Sequence, residues 1–502
     1  KPVQELDLPA EKEISPDLSP AWKKSMPKEK VQTFDLHPDI PQLQRHQFQI
    51  KDFALGEGSA KEKFRANIMA IQLLKKCEEE NRYATPEEQE ILSGYVGWGG
   101  LSDAFDETKS SWGTEYLELK TVLTEEEYEA ASQSTLTAFY TPPAVIRSMY
   151  QALENMGLKS RNILEPSCGI GNFIGMKPES LSDCKVYGVE IDRISGRIAA
   201  QLYQKSTIAV QGYEEVNLPD SFFDVAIGNV PFGQFKVLDK RYDKNNFLIH
   251  DYFFAKTLDK VRPGGVIAFI TSSGTMDKSN PAIRKYIAQR AEFIGAIRLP
   301  NDTFKRNAGT EVTSDILLLQ KRDRVIEVEP EWIYLDTDEN GITQNRYFVQ
   351  HPEMVLGEMV LEPTQYGIDS TCRPYADRSL EEQLAEAIET IQAEISEYEA
   401  EELVETEDKS IPADLTVANF SYTLHEGQIY YRENSRMKPV ELSVTAENRV
   451  KGMIAIRDCV RELIAYQTEG YADSVITAQQ KKLNALYDRF QSKYGLLNAR
   501  AN

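Results

Sequence analysis

The sequence predicts an α/β protein whose core is a doubly wound, Rossmann-like sheet of seven strands, the last of them antiparallel. Between Phe139 and Gln320, short apolar runs alternate with helix-like patterns, which is typical of helices packed on both faces of a mainly parallel sheet. The chain has 502 residues, more than one ordinary core accommodates. We therefore expect a helical N-terminal addition and a mixed α+β and helical C-terminal addition around this sheet.

The predicted strands are short and regularly spaced. They are expected at residues 162–165, 185–190, 207–211, 223–228, 265–271, 293–299 and 314–320. Composition and pattern divide the whole chain into five segments. These are an extended arm or linker at 1–50, a helical domain at 51–137, the core at 138–325, a mixed α/β region at 326–445 and closing helices at 446–502.

The mixed region is predicted to contain an acidic helix and a β-hairpin, and to serve as a DNA-recognition or connector region. Apolar residues four and three apart form one seam on the acidic helix, namely Leu384, Ile388, Ile391, Ile395 and Tyr398. Two strand-like runs joined at Glu426-Gly427 indicate the hairpin. Upstream, four glycines around Tyr95 and Trp98 indicate a tight corner. Close packing is the first interpretation of this corner, and contact with cofactor or DNA is the second.

The net charge of −22 argues at first against a nucleic-acid partner, but its distribution reverses that inference. Residues 138–325 carry about +5, whereas residues 379–410 hold twelve acids and one lysine. The five cysteines are scattered without metal spacing, which predicts reduced thiols and a cytoplasmic location. No apolar run is long enough to span a bilayer, so no membrane partner is expected. The chain begins without Met and ends within a helical pattern, and we expect it to be part of a longer protein.

A glycine-rich loop follows the first predicted strand, in the run Glu165-Pro166-Ser167-Cys168-Gly169-Ile170-Gly171-Asn172-Phe173. Its glycines permit backbone conformations and close ligand approaches that a Cβ would forbid. The spacing differs from the Gly-x-Gly-x-x-Gly of dinucleotide binders, although an NAD enzyme remains an alternative for this loop alone. The second strand ends in Glu190, whose carboxylate suits hydrogen bonds to both ribose hydroxyls of an adenosyl group. These residues predict a site for S-adenosylmethionine.

A second loop, Asn229-Val230-Pro231-Phe232, follows the fourth predicted strand. The side-chain oxygen of Asn229 and the backbone carbonyl of Val230 can accept two hydrogen bonds from an sp² amine, which turns the nitrogen lone pair toward an incoming methyl group. Pro231 stiffens the loop, and Phe232 offers a face for stacking on a planar ring. An arbitrary turn at a strand end is the alternative. The pattern favours a loop that presents an amine for methylation, with these four residues as the catalytic set.

In their order along the chain, these motifs resemble the amino-group DNA methyltransferases that make N6-methyladenine. The residues that carry the resemblance are Phe139-Tyr140-Thr141-Pro142-Pro143, Glu165 to Phe173, Glu190 and Asn229 to Phe232. In that family the Tyr-Thr-Pro segment lies against the methionine end of the cofactor. The family has Pro where this chain has Val230, an exchange that keeps the carbonyl and is expected to cost some stiffness.

The resemblance implies a set of site residues. The cofactor would be held by Tyr140, Thr141, Glu165, Pro166, Gly169, Gly171, Phe173, Glu190, Ile191 and Glu214. Phe304 is placed to close the pocket of a flipped adenine in double-stranded DNA. Lys236, Lys305 and Arg306 are expected to contact the DNA as substrate-binding residues.

Two further runs, Tyr95 to Leu101 and Tyr430 to Met437, make the chain similar to the methylase part of very large methylase–helicase proteins. Those proteins are encoded by phages, plasmids and conjugative elements. The similarity implies a helicase-like region downstream in the parent protein and a role in modifying or protecting mobile DNA. Alternatives that stay open are methylation of a protein glutamine, methylation of cytosine N4, and a catalytically weak DNA-binding or anti-restriction module.

Overall fold

In the computed structural model the chain divides into two compact units, the first of which comprises residues 34–404. The structure describes residues 35–51, 58–135, 141–158, 162–305, 311–364, 367–391, 393–395, 410–414, 416–433 and 436–497. The described residues from 410 to 497 belong to the second unit. Five finer segments were predicted, and their individual bounds stay predictions.

A seven-stranded sheet forms the centre of the first unit, in the order β3-β2-β1-β4-β5-β7-β6. Its strands are β1 Asn162–Glu165, β2 Lys185–Glu190, β3 Thr207–Val210, β4 Phe223–Asn229, β5 Val261–Ser272, β6 Ala291–Leu299 and β7 Ser314–Lys321. Strands β1 to β5 pair in parallel, and β7 runs antiparallel between β5 and β6. The predicted fold class and all seven predicted strands are confirmed.

Helices precede the sheet and connect its strands. In chain order they are α1 Ala60–Glu79, α2 Pro86–Ser93, α3 Gly113–Val122, α4 Glu125–Ser134, α5 Pro143–Asn155, α6 Asn172–Gly175, α7 Arg193–Leu202, α8 Ile249–Lys260, α9 Gly274–Asp277 and α10 Ala282–Arg290. Helix α7 packs on β3, and α8 packs on β5 and α10. Helices therefore pack on the sheet, because the apolar side chains of a buried strand must be shielded from water.

Local sequence signals start the N-terminal helices. Ser59 with Glu62 and Thr85 with Glu88 form capping boxes at α1 and α2, in which each side chain bonds the other residue's backbone N–H. Such caps satisfy N–H groups that have no partner inside the helix. Pro86 at the first helical position adds a preset backbone angle.

The glycine corner at residues 94–100 is a packed corner, as first interpreted. Tyr95 and Trp98 are fully buried. The Asn67 side chain bonds the corner on two sides, since its Nδ2 donates to Gly97 O and its Oδ1 accepts from Val96 N. Asn67 of α1 thus holds the loop, and the two aromatic rings of the loop are buried in the helical core.

After the sheet, the first unit continues through short strands and two helices. These are β8 Leu335–Thr337, β9 Thr343–Asn345, α11 Arg346–Gln350, β10 Gly357–Thr364, β11 Gly367–Pro374 and α12 Leu380–Thr390. Helix α12 is the predicted acidic helix, and it ends at Thr390, before the last three residues of the predicted apolar seam. Ile391 and Ile395 are buried without being helical, and the Ile395 N–H donates to Met156 O. Helix α12 packs against α5, and Tyr398 lies outside the described residues.

The second unit combines a small antiparallel sheet with two long helices. Its elements are β12 Ile411–Pro412, β13 Tyr422–His425, β14 Gln428–Glu433, β15 Arg436–Pro439, α13 Val444–Thr468 and α14 Asp473–Tyr494. The predicted hairpin is confirmed, with Glu426 and Gly427 at positive φ in its two-residue turn. Both closing helices are confirmed as well. Among the described residues of the whole chain, none of the helices is long and apolar enough to cross a membrane.

Candidate active site

The two predicted loops meet where the strand order of the sheet reverses. Strands β1 and β4 are parallel neighbours, with Leu164 opposite Ala226, so the loops that follow them emerge side by side at the carboxyl edge. Ser167 ties the loops together, since its Oγ donates to the backbone oxygen of Asn229 at 2.8 Å. In open α/β sheets this crevice is where ligands bind.

The Asn229 side chain is oriented by one hydrogen bond. Asn229 is the last residue of β4, and its Nδ2 donates to Thr141 Oγ at 3.2 Å. Its Oδ1 is buried and accepts no hydrogen bond from any described residue. A buried amide oxygen without a donor costs free energy until a ligand supplies one. The side chain therefore keeps one acceptor without a donor at the carboxyl end of β4.

The rest of the second loop is braced on the neighbouring strand. Val230 is 1% exposed, and its N–H donates to Ile270 O of β5 at 3.0 Å. A proline at this position has no N–H and could not make that bond. The hydrogen bond thus offsets the loss of stiffness expected from Val230. Pro231 and Phe232 are half-buried beyond it.

The first loop combines an open cradle with a close packing contact. Gly169 has φ +55°, and a Cβ on it would meet no atom within 4 Å. Gly171 has φ +85°, and a Cβ on it would lie 2.3 Å from a ring carbon of Tyr203. Gly169 therefore leaves space for a ligand, whereas Gly171 is required by packing. Pro166 is buried, and Phe173 is 3% exposed with its carbonyl accepting from the Tyr150 hydroxyl at 2.8 Å.

Two carboxyl groups flank this cradle. Glu190, at the end of β2, accepts from Gly169 N and Asp192 N, each at 2.7 Å. Burial raises the pKa of Glu190 to about 7, the Asp192 charge adds to the rise, and the two N–H groups oppose it. Glu165, at the end of β1, is 2% exposed with a buried Oε2 that has no partner among the described residues. Burial, and then the nearby Glu190 charge, hold the pKa of Glu165 well above its usual range.

These features fit the adenosyl cofactor that the sequence predicts. The cradle at Gly169 is open, Glu190 lies beside it, and Glu165 offers an unsatisfied acceptor. Ile191, next to Glu190, is 70% exposed and free to cover a flat ring. Hydroxyl and amine donors of a ligand would satisfy these oxygens.

The surroundings of Glu214, Lys236 and Lys305 give less support to the roles predicted for them. Glu214 is half-buried, and its carboxylate folds over Gly212, where a Cβ would lie 2.2 Å from Glu214 Oε1. Lys236 donates to Asn246 Oδ1 at 2.6 Å, and Lys305 pairs with Glu311 at 2.5 Å. Both lysines are exposed, so contact with DNA stays a prediction for them.

The structure speaks against the role predicted for Phe304. Its side chain is fully buried, so it offers no open face for a flipped base. The expectation rested on the position of Phe304 after β6, and position along the chain does not reveal which way a ring packs. Tyr140 and Arg306 lie outside the described residues.

Sequence reasoning missed two site residues and one contact. Ser167 links the two loops, and Asp192 caps α7 by accepting from Ile194 N and Ser195 N while its own N–H holds Glu190. An Asp between a strand and a helix is a recognisable cap signal. Contact of Thr141 with the cofactor stays a prediction, and its hydroxyl also accepts from Asn229 Nδ2. That contact joins residues 88 positions apart, which no local pattern reports.

A seven-stranded sheet of this order, with a glycine loop after β1, an acid at the end of β2 and an Asn-led loop after β4, defines a Rossmann-like methyltransferase core. Residues 125–346 match the family model described as N-6 DNA Methylase.

Curated relatives share the same region. Defense against restriction protein B of Escherichia phage P1 is 30% identical over 273 residues, which cover 53% of this chain and 10% of that protein. The type II methyltransferase M.XamI of Xanthomonas campestris pv. amaranthicola is 28% identical over 229 residues, which cover 41% of this chain and 43% of that protein. The chain therefore spans less than half the length of either relative. Among solved structures, the type I restriction enzyme EcoKI M protein has 13% identity and a TM-score of 0.32, covering 67% of this chain and 90% of that one.

Proposed function

We propose that this protein is a DNA methyltransferase that transfers a methyl group from S-adenosylmethionine to the N6 amine of adenine. One observation carries the proposal. Asn229 Oδ1 is a buried acceptor without a donor, and the hydrogen bond to Thr141 engages the amide nitrogen, so the oxygen is the atom left for a substrate. An exocyclic amine supplies the donor that this oxygen lacks.

The second loop activates the amine by hydrogen bonding. Asn229 Oδ1 and the Val230 carbonyl each accept one N–H of the amine, which draws the nitrogen lone pair out of conjugation with the ring. The amine loses its proton after the methyl group has arrived, so no general base is needed in advance. The Val230–Ile270 hydrogen bond holds the carbonyl in place during this step.

Phe232 provides the face on which the base stacks. Flipping a base out of a duplex costs a few kcal/mol. Stacking on an aromatic ring returns about 1–3 kcal/mol per base. A planar base is therefore a better occupant than a flexible glutamine side chain, which gains less from a ring.

The first loop holds the cofactor. Bound S-adenosylmethionine supplies a methyl group on a sulfonium sulfur, which makes the methyl carbon electrophilic. Gly169 would give the backbone room for the ligand, Glu190 would accept from the ribose hydroxyls, and Glu165 Oε2 would accept from the amino group of the methionine part; in the structure Gly169 has that space, Glu190 lies beside it and Oε2 has no partner among the described residues.

The names of the relatives suggest a biological role. One is a defence protein against restriction encoded by a phage, and another is a type II methyltransferase. We propose that this chain modifies DNA of a mobile element in the bacterial cytoplasm and so protects it from restriction. The helicase-like downstream region stays a prediction.

The test is methyl transfer from labelled cofactor to unmethylated duplex DNA, with the product nucleoside identified. Label in N6-methyladenine is expected. Replacing Asn229 by Ala removes the activating acceptor and should lower the rate about a hundredfold or more while cofactor binding persists. The exposed Asn217→Ala serves as the matched control.

Each other outcome decides against part of the proposal. Label in N4-methylcytosine would overturn the assignment of the base, and label in a protein glutamine would overturn DNA as substrate. Cofactor binding without transfer to any DNA would favour the catalytically weak DNA-binding or anti-restriction module.

A further inference from the structure

A second cavity of the first unit lies away from the catalytic loops. It has a volume of about 660 Å³, within the range of small-molecule sites. Its walls are the stretch 241–247, the outer face of α10 and Asp259 near the end of α8. The Asp259 carbonyl accepts from Ser221 N just before β4 begins, so this wall is at the amino edge of the sheet. Asn229 is at the other end of β4, on the order of 20 Å away along seven residues of strand.

The charges of this cavity favour an anion. Four lining residues are cationic and one is acidic. Arg241 is neutralised by Asp220 at 2.9 Å and Asp259 at 2.8 Å, and Lys285 pairs with Glu329 at 2.6 Å. Lys244 and Arg290 also line the cavity.

Neither Lys244 nor Arg290 has a carboxylate partner among the described residues. Arg290 stacks its guanidinium 3.7 Å from the centre of the Tyr286 ring and donates to Tyr286 O at 3.1 Å. Stacking fixes the guanidinium plane while several of its N–H groups stay available. These two cations without a carboxylate partner leave positive charge at the cavity wall, and phosphate oxygens are acceptors that suit it.

Asn245 adds an unsatisfied donor to the same wall. Its Nδ2 is buried and has no hydrogen-bond acceptor among the described residues. Leaving such a group without a partner costs about 1–3 kcal/mol. An acceptor-rich ligand such as a phosphate ester would remove this cost, so the observation points to a ligand with acceptor atoms independently of the charges.

The aromatic residues of the cavity favour a ligand with a planar ring. Phe247 and Tyr286 contact each other edge to face, with ring centres 5.4 Å apart and planes at 82°. Both are half-buried lining residues. Because Arg290 already stacks on one face of the Tyr286 ring, Phe247 is the aromatic side chain of this pair that is left to contact a planar ligand. The cavity thus combines donors for phosphate with a surface for a heterocycle.

We propose that this cavity is a binding site for a nucleoside phosphate, separate from the methyl-transfer site. Lys244, Arg290 and Asn245 bind the phosphate, and Phe247 contacts the base. The same chemistry is present in a free nucleotide and in one nucleotide of a DNA strand. The site does not depend on methyl transfer, so its test succeeds or fails separately from that of the proposed function.

The test is calorimetric titration of the whole chain with thymidine 5′-monophosphate and with an oligothymidylate. S-adenosylhomocysteine is kept saturating, and neither probe contains adenine, so the cofactor and target sites do not compete. Saturable binding of at least one probe is expected. In the double variant Lys244→Ala/Arg290→Ala, its affinity should fall about tenfold to a hundredfold.

A second variant tests the planar part of the ligand. Phe247→Leu keeps the charges and removes the ring, so nucleotide affinity should fall about fivefold or more while inorganic pyrophosphate binds as before. The exposed Lys205→Ala removes one positive charge away from the cavity lining and, as a control, should change nothing. Unchanged thermal unfolding of each variant shows that the fold persists.

The outcomes separate the two sources and leave the proposal open to refutation. Mononucleotide binding that the double variant loses assigns a free nucleotide, and binding of the oligothymidylate alone assigns a DNA strand. The proposal is overturned by absence of binding for both probes, by binding that the double variant retains, or by an equal loss in Lys205→Ala. Pyrophosphate binding as tight as that of thymidine monophosphate would overturn the nucleoside as ligand.

Discussion

At the scale of single residues, contacts outside the short motif decide which amide atom of Asn229 is already hydrogen-bonded. A side-chain amide can present either its oxygen, an acceptor, or its nitrogen, a donor, to a ligand. The sequence of the motif does not show which of the two atoms is presented. The Thr141 hydroxyl accepts from Nδ2, which leaves Oδ1 as the atom without a partner among the described residues. Val230 gains a bond to Ile270 that the proline of the resembling family cannot make. Two contacts outside the motif thus set the properties of the loop.

Replacing Thr141 by Val should free the Asn229 amide to rotate. The rate constant kcat is expected to fall about threefold to tenfold, because one net hydrogen bond of orientation is lost. Cofactor affinity should change little, since the hydroxyl bonds Asn229 in this structure. Steady-state kinetics and a cofactor titration measure the two effects.

Thr141→Ser keeps the hydroxyl and is the matched control, with kcat near that of the natural protein. The role of Thr141 as a positioning residue would be refuted by a loss of cofactor affinity at unchanged kcat. That result would support the contact with the cofactor that the resemblance implied.

Cofactor binding should depend on pH through Glu190. Its pKa of about 7 means that the ionised, hydrogen-bond-accepting form rises from roughly a tenth at pH 6 to roughly nine-tenths at pH 8. Affinity for the cofactor is therefore expected to increase over this interval. Since folding raises this pKa from 4.5, the Glu190 contribution to the free energy of unfolding is full below pH 4.5 and is lost as pH rises through about 7.

Titration of the cofactor between pH 6 and pH 8 measures the first effect. Glu190→Gln should bind weakly at every pH, without the rise, and the exposed Glu179→Gln should behave as the natural protein. A rise that survives in Glu190→Gln would assign the titration to another group of the cradle, such as Glu165.

Among the secondary structure elements, the antiparallel pair of β6 and β7 carries a buried ion pair. Arg298 is fully buried opposite Asp315, and its Nε and one terminal nitrogen donate to the two carboxylate oxygens at 2.8 and 2.9 Å. Asp277 of α9 adds a second carboxylate at 2.8 Å. This network joins the last strands of the sheet to the helix that follows β5.

Breaking this pair by Asp315→Asn should lower the free energy of unfolding by about 3–5 kcal/mol, because Arg298 loses a charged partner away from water. Urea unfolding measures the loss. Glu292 of β6 pairs at 2.6 Å with Arg322, the residue after β7, and is 63% exposed, so Glu292→Gln should cost only about 0–1 kcal/mol.

A double replacement tests the cause of that loss. Arg298→Met with Asp315→Leu removes both fully buried charges and should recover part of the stability, because the one carboxylate left without its partner, Asp277, is 17% exposed. Equal losses in Asp315→Asn and Glu292→Gln would mean that the buried pair does not stabilise the sheet.

For the whole molecule, the division at residues 404 and 405 is the main organising feature. Each unit has apolar residues of its own. Phe269 of β5 is fully buried beside Phe254, and Phe490 of α14 is 3% exposed, where a Cβ on Gly452 of α13 would be 2.9 Å away from its ring. Since these contacts do not cross between the units, we expect each unit to unfold as its own cooperative transition.

Scanning calorimetry of two variants tests this expectation. Phe490→Ala and Phe269→Ala should each destabilise by about 3–5 kcal/mol, since each leaves a cavity in a packed core. The first should lower the midpoint of one transition and the second that of the other. A single transition lowered by both variants would show that the units unfold together.

Much of the fold could be predicted because its signals are local. Each strand is a short apolar run beside a turn, as in β4. The dipeptide Glu426-Gly427 indicates the hairpin turn. The predictions failed where contacts are distant. The acidic helix ends at Thr390. The N–H of Ile395 donates to the distant Met156 O and not to a carbonyl of the same helix. The placement of Phe304 in the core likewise depends on neighbours that no local pattern names.

The sequence by itself therefore determined the sheet, the two loops at its carboxyl edge and the types of side chain available there. These follow from residues close together in the chain, whose conformations and burial patterns act over a few positions. Only the tertiary structure decided that Asn229 presents its oxygen, that Glu190 titrates near neutral pH, and that Phe247, Tyr286 and Arg290 share one cavity. Orientation, burial and long-range pairing depend on which distant segments pack together, and that is settled by the folded chain as a whole.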